Sequence, residues 1–196
     1  MKKIYFFGDS NTFGFDPVGF FGGRYEKKNI WTYIIERKTG VTALNRGMNG
    51  REIPHNEMEI RMLEDSLTGD LPFDDMVIML GLNDMINMAS PSAEKITERM
   101  RALLLWLKSR PFMDGVKITI VSPPPINLFK DFGEVGRLYD EIGRDLGYHY
   151  KKLAEEVGTG FINGSEWKIG LAADGIHFSE KGHSQFAEKM LEALNL

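Results

Sequence analysis

A serine lies just after the first apolar run of the chain, at a position where its hydroxyl could act as a nucleophile. Residues 6–12 read FFGDSNT, in which the apolar run stops at Gly8 and is followed by Asp9, Ser10 and Asn11. A serine hydroxyl attacks a carbonyl at neutral pH only when a general base lies within hydrogen-bond reach. Ser10 is therefore either the start of a helix or a nucleophile, and the second interpretation requires a partner elsewhere in the chain.

Histidine is the first candidate for that base, because its pKa lies near neutral pH. The chain has four histidines, His55, His149, His177 and His183. His177 is the best placed, since it lies in a predicted loop three residues after Asp174. In a tight turn the Asp174 carboxylate would accept a hydrogen bond from Nδ1 of His177 and leave Nε2 facing a nucleophile. His149 and His183 fall within predicted helices, and His55 has no carboxylate placed to orient its ring.

Three groups are candidates for stabilising the oxyanion that forms during attack on a carbonyl. The N–H of Ser10 lies at the start of a turn, and Gly47, in NRGMNG at 45–50, can present its N–H without a Cβ in the way. Asn83, in GLND at 81–84, carries a side-chain amide. Each also has a structural interpretation, Gly47 as a turn glycine and Asn83 as a helix cap.

The elements that must position these residues alternate between strands and helices. Short apolar runs predict strands at 4–7, 41–44, 76–80, 116–121 and 160–163. Apolar residues at helical spacing predict helices at 29–38, 54–67, 91–110 and 135–157, and a last helix after Ser179. This alternation, with continuously apolar strands, predicts a single three-layer α/β/α domain over residues 1–196 around a five-stranded parallel sheet.

Two of the helices have more detailed expectations. Ser90 and Pro91 should begin the 91–110 helix as its N-cap and its first-turn proline. The buried stripe of the 135–157 helix should consist of Leu138, Ile142, Leu146, Tyr150, Leu153 and Val157.

The candidate residues converge on one edge of the predicted sheet. Ligands of parallel α/β sheets bind beyond the carboxyl ends of the strands. GDSNT, NRGMNG and GLND each follow a predicted strand, and DGIHF at 174–178 precedes the last helix. The prolines of SPPP at 122–125 should form a stiff rim to this edge.

Composition excludes several other classes of function. The 196 residues carry a net charge of −4 and no cysteine, so disulfides, thiolate metal sites and a cysteine nucleophile are excluded. The sequence has no cluster of lysine and arginine residues of the kind that binds nucleic acid. No apolar stretch is long enough for a signal peptide or a membrane span. A cytoplasmic protein is the default expectation, and the 11 methionines leave a homo-oligomer open.

Together, the four motifs resemble the SGNH hydrolase family, also called the GDSL esterase/lipase family. The resemblance covers nearly the whole chain and implies a flavodoxin-like α/β/α fold. It implies that Ser10 is the nucleophile, His177 the general base and then acid, and Asp174 the residue that orients His177. It also implies an oxyanion hole formed by the Ser10 N–H, the Gly47 N–H and Asn83, with no metal or cofactor.

Within that family, VIMLGLND, VSPPPI and DGIHFSE resemble the bacterial arylesterase branch, whose members hydrolyse small acyl esters. One departure is Asn11, which stands where the family name refers to leucine. Asn11, Leu82 and Ile176 adjoin the motif residues and are candidate substrate-pocket residues. The expected function is a serine esterase acting on small to medium acyl esters.

Four alternatives remain open at this stage. A carbohydrate O-acetyl esterase could stack sugar rings on the aromatic residues Phe13, Phe15, Phe20, Phe21 and Trp31. A lysophospholipase or thioesterase-like acyl hydrolase would keep the same chemistry on another substrate. A metal-dependent phosphoryl-transfer domain would use Asp9 with Asp84 and Asp174. A binding module would have lost catalysis, although Ser10, Asp174 and His177 are all present.

Overall fold

The centre of the computed structural model, which describes residues 1–19, 23–127 and 129–196, is a parallel sheet. Its strands are β1 (Lys3–Gly8), β4 (Thr42–Gly47), β5 (Asp75–Met79), β6 (Lys117–Val121) and β7 (Gly160–Ile162). They lie in the order β4-β1-β5-β6-β7, and every neighbouring pair is parallel. Two short strands, β2 (Phe15–Asp16) and β3 (Gly23–Arg24), form a separate antiparallel pair.

Helices cover both faces of this sheet. They are α1 (Ser10–Phe13), α2 (Trp31–Thr39), α3 (Glu57–Asp70), α4 (Leu82–Asn87), α5 (Ala93–Lys108), α6 (Phe129–Val157) and α7 (Glu180–Leu194). Residues of α2 and α7 share one core with Ile4 and Phe6. Residues of α3, α5 and α6 share the other core with Tyr5 and Phe7. The α/β fold with a five-stranded parallel sheet is therefore confirmed.

The first strand shows why the chain forms this architecture. Residues 4–7 are apolar at four consecutive positions and are all buried. Because side chains alternate between the faces of a strand, such a run can be buried only where both faces are covered. β1 also has β4 on one side and β5 on the other. The chain changes direction across the sheet there, so the carboxyl end of β1 is the expected site for a ligand.

Two details of the helix predictions were wrong. α5 begins at Ala93, and Ser92 rather than Ser90 caps it by accepting a hydrogen bond from the Lys95 N–H. An N-cap side chain accepts from an N–H two or three residues further along the chain, and Ser92 meets this condition for a helix that begins at Ala93. In α6, Leu138 is 44% exposed and does not belong to the buried stripe. α6 itself contains a break at Gly133, where φ is 50°.

None of the helices in the described part of the chain is long and apolar enough to cross a membrane.

Candidate active site

Ser10 is the first residue of α1, which begins directly at the end of β1. The carboxylate of Asp9 caps this short helix by accepting the Asn11 N–H at 2.9 Å. Gly8 allows the tight entry, since a Cβ there would overlap the side chain of Thr12. Ser10 is only 5% exposed, and its N–H has no hydrogen-bond partner among the described residues. Its hydroxyl and its N–H are therefore held at the same end of β1.

His177 and Asp174 complete a hydrogen-bonded chain with Ser10. Nε2 of His177 lies 2.9 Å from the Ser10 Oγ, and Nδ1 of His177 lies 2.6 Å from Oδ2 of Asp174. The other oxygen of Asp174 accepts the N–H groups of Ile176 and His177, each at 3.0 Å. Burial alone would raise the pKa of Asp174, but these hydrogen bonds lower it overall. The carboxylate is thus ionised at neutral pH and can fix the tautomer of the imidazole.

Asn83 lies in the first turn of α4, on the same edge of the sheet. Its Nδ2 donates to the carbonyl of Arg51 at 3.0 Å, and this bond uses one of its two N–H groups. Gly81, at φ +120°, precedes the helix, and a Cβ there would crowd the Tyr150 hydroxyl at 2.9 Å. The hydrogen bond to Arg51 holds the Asn83 amide in one orientation, and its second N–H has no hydrogen-bond partner among the described residues.

Gly47 does not occupy the position expected of an oxyanion donor. Its N–H donates to Oδ1 of Asn45 at 3.0 Å. A Cβ on Gly47 would overlap the backbone of Phe13, so this glycine is required where β4 packs against α1. Gly47 is also absent from the lining of the cavity at Ser10. The prediction for Gly47 is corrected: this glycine is a packing residue.

Gly50, in the same NRGMNG stretch, is the glycine that faces the site. It lines the cavity together with Ser10 and Asn83. Its φ of +71° is a left-handed conformation that favours glycine. Its N–H has no hydrogen-bond partner in the described part of the chain. A free N–H beside the serine is the property that was assigned to Gly47 from the sequence.

A buried ion pair holds the loop that carries Gly50. Asp84 is fully buried and accepts the N–H of Ile53 at 3.0 Å and a guanidinium N–H of Arg99 at 2.8 Å. Burial raises the pKa of Asp84 in spite of these donors. Arg99 also donates to Glu52 at 2.7 Å. The segment that follows Gly50 is consequently fixed to α4 and α5.

A second cation, Arg51, fixes the ends of the two strands beside the site. Its guanidinium donates to the carbonyl of Gly8 at 2.8 Å and to the carbonyl of Arg46. It also lies 4.2 Å from the centre of the Phe7 ring. Burial lowers the pKa of Arg51 to about 10, so the group stays charged at neutral pH.

The cavity at Ser10 has a volume of about 340 Å³ and a largely apolar wall. Its lining residues are Ser10, Phe15, Asn49, Gly50, Leu82, Asn83, Ile86, Ile176 and His177. Leu82 and Ile176, the pocket candidates named from the sequence, are among these lining residues. Asn49 and Ile86 were not foreseen, although Asn49 lies in the same NRGMNG stretch that carried the signal.

Asn11 is not a wall residue of this cavity. It is 4% exposed, and its side chain is hydrogen-bonded to backbone groups of Ile176 and Phe178. The expectation that Asn11 shapes the pocket wall is therefore corrected, because its amide points into the protein and not into the cavity.

The three candidate sugar-stacking aromatic residues that the structure describes, Phe13, Phe15 and Trp31, do not form a common surface. Trp31 is 1% exposed and packs edge-on against Phe6 and Phe186. Phe13 lies under the guanidinium of Arg24, at 4.4 Å. Phe15 does line the cavity, with its ring centre 4.6 Å from that of His177. Phe20 and Phe21 lie outside the described residues.

The remaining histidines contact other groups. His183 is fully buried, both of its ring nitrogens lack a partner among the described residues, and burial lowers its pKa to about 3. Nε2 of His149 lies 3.5 Å from Glu94. Nδ1 of His55 lies 2.9 Å from the carbonyl of Ile53 and 3.4 Å from Glu59, so the expectation that no carboxylate lies beside this ring was wrong. Only His177 reaches Ser10.

The carboxylates considered for a metal are engaged with protein donors. Asp9 accepts the N–H of Asn11, Asp84 accepts from Arg99 and Ile53, and Asp174 accepts from His177. Within the described residues, no group of three or more histidine, cysteine, aspartate or glutamate side chains is arranged to hold a metal ion.

One protein-family profile and several solved structures match this chain. The profile of the GDSL-like lipase/acylhydrolase family matches residues 6–185. A protein from Agrobacterium tumefaciens assigned as an arylesterase is 27% identical, with a TM-score of 0.84, over 100% of this chain and 99% of that chain. The M. smegmatis aryl esterase is 26% identical, with a TM-score of 0.79, over 98% of this chain and 100% of that chain.

A third solved structure, of a carbohydrate acetylesterase family member from Sinorhizobium meliloti, is 25% identical, with a TM-score of 0.80 and full coverage of both chains. No curated protein sequence matches the chain.

Proposed function

The chain belongs to the GDSL-like lipase/acylhydrolase family and is a carboxylic ester hydrolase, and from that premise we propose that it is a serine esterase acting on small to medium acyl esters through an acyl-enzyme on Ser10. The observation that carries this proposal is the chain of two hydrogen bonds, 2.9 Å from Ser10 to His177 and 2.6 Å from His177 to Asp174. Distances in this range permit direct proton transfer between nucleophile and base.

The reaction proceeds in two halves. The Ser10 Oγ attacks the ester carbonyl while Nε2 of His177 takes the hydroxyl proton, and the imidazolium so formed is stabilised by Asp174. Collapse of the tetrahedral intermediate transfers the proton from His177 to the leaving alcohol and leaves the acyl group on Ser10. His177 then removes a proton from a water molecule, which attacks the carbonyl of the acyl-enzyme. The second tetrahedral intermediate collapses with breakage of the bond to the Ser10 Oγ, His177 returns the proton to that oxygen, and the acid is released.

Three donors would stabilise the negative oxygen in both halves. They are the N–H of Ser10, the N–H of Gly50 and the second N–H of Asn83, and each lies beside the same cavity with a free donor. Loss of one such donor typically costs about 10²- to 10³-fold in rate. Gly50 takes the role that the sequence had given to Gly47.

The cavity wall favours a small or medium acyl or aryl group over a sugar. Phe15, Leu82, Ile86 and Ile176 contribute apolar side chains, and the side chains of Asn49 and Asn83 contribute amides. Hydrophobic walls with a few polar groups are usual for small-molecule sites. Carbohydrate O-acetyl ester hydrolysis is the second candidate, favoured by Phe15 and Asn49 in the wall and by the likeness to the Sinorhizobium meliloti protein.

The first test compares the turnover of p-nitrophenyl acetate by wild type and by Ser10→Ala. The second measures kcat/KM of wild type for p-nitrophenyl esters from acetyl to dodecanoyl and for an acetylated xylooligosaccharide. We expect Ser10→Ala to lose nearly all activity and wild type to prefer acyl chains that a cavity of about 340 Å³ can hold. Equal turnover by the two proteins would reject the nucleophile. A higher kcat/KM for the acetylated sugar than for every aryl ester would select the second candidate.

A further inference from the structure

The side chain of Asn11 joins the nucleophile to the backbone around the base. Its Oδ1 accepts the N–H of Phe178 at 2.8 Å, and its Nδ2 donates to the carbonyl of Ile176 at 3.3 Å. These two groups belong to the peptide bonds on either side of His177. One amide, on the residue directly after Ser10, therefore holds both peptide planes that determine where the imidazole is attached.

The orientation of this amide follows from its partners. The N–H of Phe178 can only donate, and the carbonyl of Ile176 can only accept. The oxygen of the Asn11 amide must therefore face Phe178 and its nitrogen must face Ile176, so a flipped side chain would lose both hydrogen bonds. An asparagine at this position can satisfy the two groups together, whereas a leucine can satisfy neither.

The backbone of Asn11 is itself anchored. Its carbonyl accepts the indole N–H of Trp31 at 3.0 Å, and its N–H donates to the Asp9 carboxylate at 2.9 Å. Trp31 is buried between Phe6 and Phe186. The backbone that carries the Asn11 amide is therefore fixed to the buried core through Trp31 and to the start of α1 through Asp9.

The other contacts of the His177 loop do not perform the same task. Asp174 accepts the N–H groups of Ile176 and His177, but all three residues belong to the same turn and would move together. Between α1 and residues 174–178, the side-chain hydrogen bonds of the described residues are those made by Asn11 and the one between Ser10 and His177. Of these side-chain hydrogen bonds, the two made by Asn11 persist when the Ser10 hydroxyl turns to a substrate. Backbone hydrogen bonds from Ala172 to the His177 carbonyl and from Asn127 to the Gly175 carbonyl, each 2.7 Å, also hold the loop, but they do not connect it to α1.

We propose that Asn11 is a positioning residue that keeps His177 in register with Ser10 during the catalytic cycle. It touches neither the substrate nor the reacting atoms, and it acts through the two peptide groups that flank His177. This inference rests on the proposed function. A displacement of the base by about 1 Å can cost up to about 10²-fold in rate, so a loose loop would lower kcat without changing the apolar cavity wall.

The experiment measures kcat and KM for p-nitrophenyl acetate in wild type and in Asn11→Leu, which keeps the number and branching of the side-chain heavy atoms and removes both hydrogen bonds. We expect a loss of about 10-fold or more in kcat with KM changed by less than about twofold. The same substitution is then made in a His177→Ala background. There it should change the residual rate by less than about twofold, because no base remains to be positioned.

Asn163→Ala is the matched control for the general loss of a hydrogen-bonded amide. Oδ1 of Asn163 accepts from the hydroxyls of Ser122 and Ser165, at 3.1 and 2.6 Å, and among the described residues it has no hydrogen bond to the His177 loop. We expect this variant to be less stable than wild type and to keep its kcat. If Asn11→Leu does not fold by circular dichroism, Asn11→Ser, whose side chain is too short to span both groups, is measured in its place.

Three results would overturn the proposal. They are an unchanged kcat in the folded Asn11 variant, an equal loss in the presence and absence of His177, and an equal loss in Asn163→Ala. Ser10→Ala separates this failure from failure of the proposed function. If Ser10→Ala is inactive while the Asn11 variant is fully active, the serine mechanism stands and only the positioning role is lost.

Discussion

The N–H of Gly47 donates to Oδ1 of Asn45 at 3.0 Å, and this bond removes Gly47 from the donors available to a substrate. The Nδ2 of Asn45 at the same time donates to the carbonyl of Thr12 at 2.6 Å and to the hydroxyl of Thr32 at 2.8 Å. Asn45 and Gly47 thus join the end of β4 to α1 and α2, and Gly50 is left to face Ser10.

A structure of the Ser10 adduct with an organophosphonate would distinguish the two glycines. The phosphonyl oxygen imitates the oxyanion, so we expect it about 2.7–3.1 Å from the N–H nitrogens of Ser10 and Gly50 and from Nδ2 of Asn83. The Gly47 N–H should keep its hydrogen bond to Asn45. An adduct whose oxygen is bound by Gly47 and not by Gly50 would contradict this assignment.

Removal of the Asn83 amide should affect the rate far more than the stability. Asn83→Ala is expected to lower kcat by about 10²- to 10³-fold, because one oxyanion donor is lost. Asn87 lies one turn further along α4, and its Nδ2 donates to Glu52 at 2.9 Å, which makes Asn87→Ala a suitable control. Steady-state kinetics on p-nitrophenyl acetate should show a near-normal kcat for Asn87→Ala, and similar losses in both variants would refute the role of Asn83.

Removal of Arg99 from its pair with the buried Asp84 should strongly destabilise the protein. Arg99→Ala would leave the fully buried Asp84 carboxylate without its cation, which typically costs about 3–5 kcal/mol. Arg101 lies two residues further along α5 and pairs with Glu98 and Glu156 near the surface. Arg101→Ala should cost about 1 kcal/mol or less. Urea unfolding would measure both, and equal destabilisation by the two variants would contradict this ranking.

The buried Asp9 carboxyl should make stability fall as the pH rises. Burial raises the pKa of Asp9 from 3.8 to about 6 in the folded protein. An acid whose pKa is raised by folding contributes most below its unfolded pKa, and that contribution is lost as the pH rises through the folded value.

Asp9→Asn cannot titrate, so it tests this effect directly. Between about pH 4 and about pH 8, the difference in free energy of unfolding between Asp9→Asn and wild type should move by about 2 kcal/mol in favour of the variant. Urea unfolding across this range measures that difference. A difference that stays constant with pH would show that Asp9 is already ionised at low pH.

The fold was predictable from the sequence because its strands carry a strong local signal. Four consecutive apolar residues at 4–7 can be buried only in a sheet covered on both faces, and the structure confirms this. The end of such a strand in a parallel sheet is a known ligand-binding position. Residue type and position were therefore enough to choose Ser10, Asn83 and His177 as candidates for this edge of the sheet.

The finer features depend on conformation and on distant partners, and the sequence does not contain them in local form. Gly47 is the last residue of β4 and Gly50 lies three residues later in the loop that follows, and only the backbone path decides which N–H is free. The partners of Asn11 lie about 165 residues away along the chain, so its hydrogen bonds leave no local pattern. Ser90 and Ser92 both suit a helix cap, and the choice depends on where α5 packs.

Formation of an acyl-enzyme on Ser10 can be tested by mass spectrometry of protein that is acid-quenched during turnover of p-nitrophenyl acetate. We expect at most one acetyl group per chain, located on the peptide that contains Ser10, and none in Ser10→Ala. An acetyl group on another residue, or wild-type turnover by Ser10→Ala, would contradict the account.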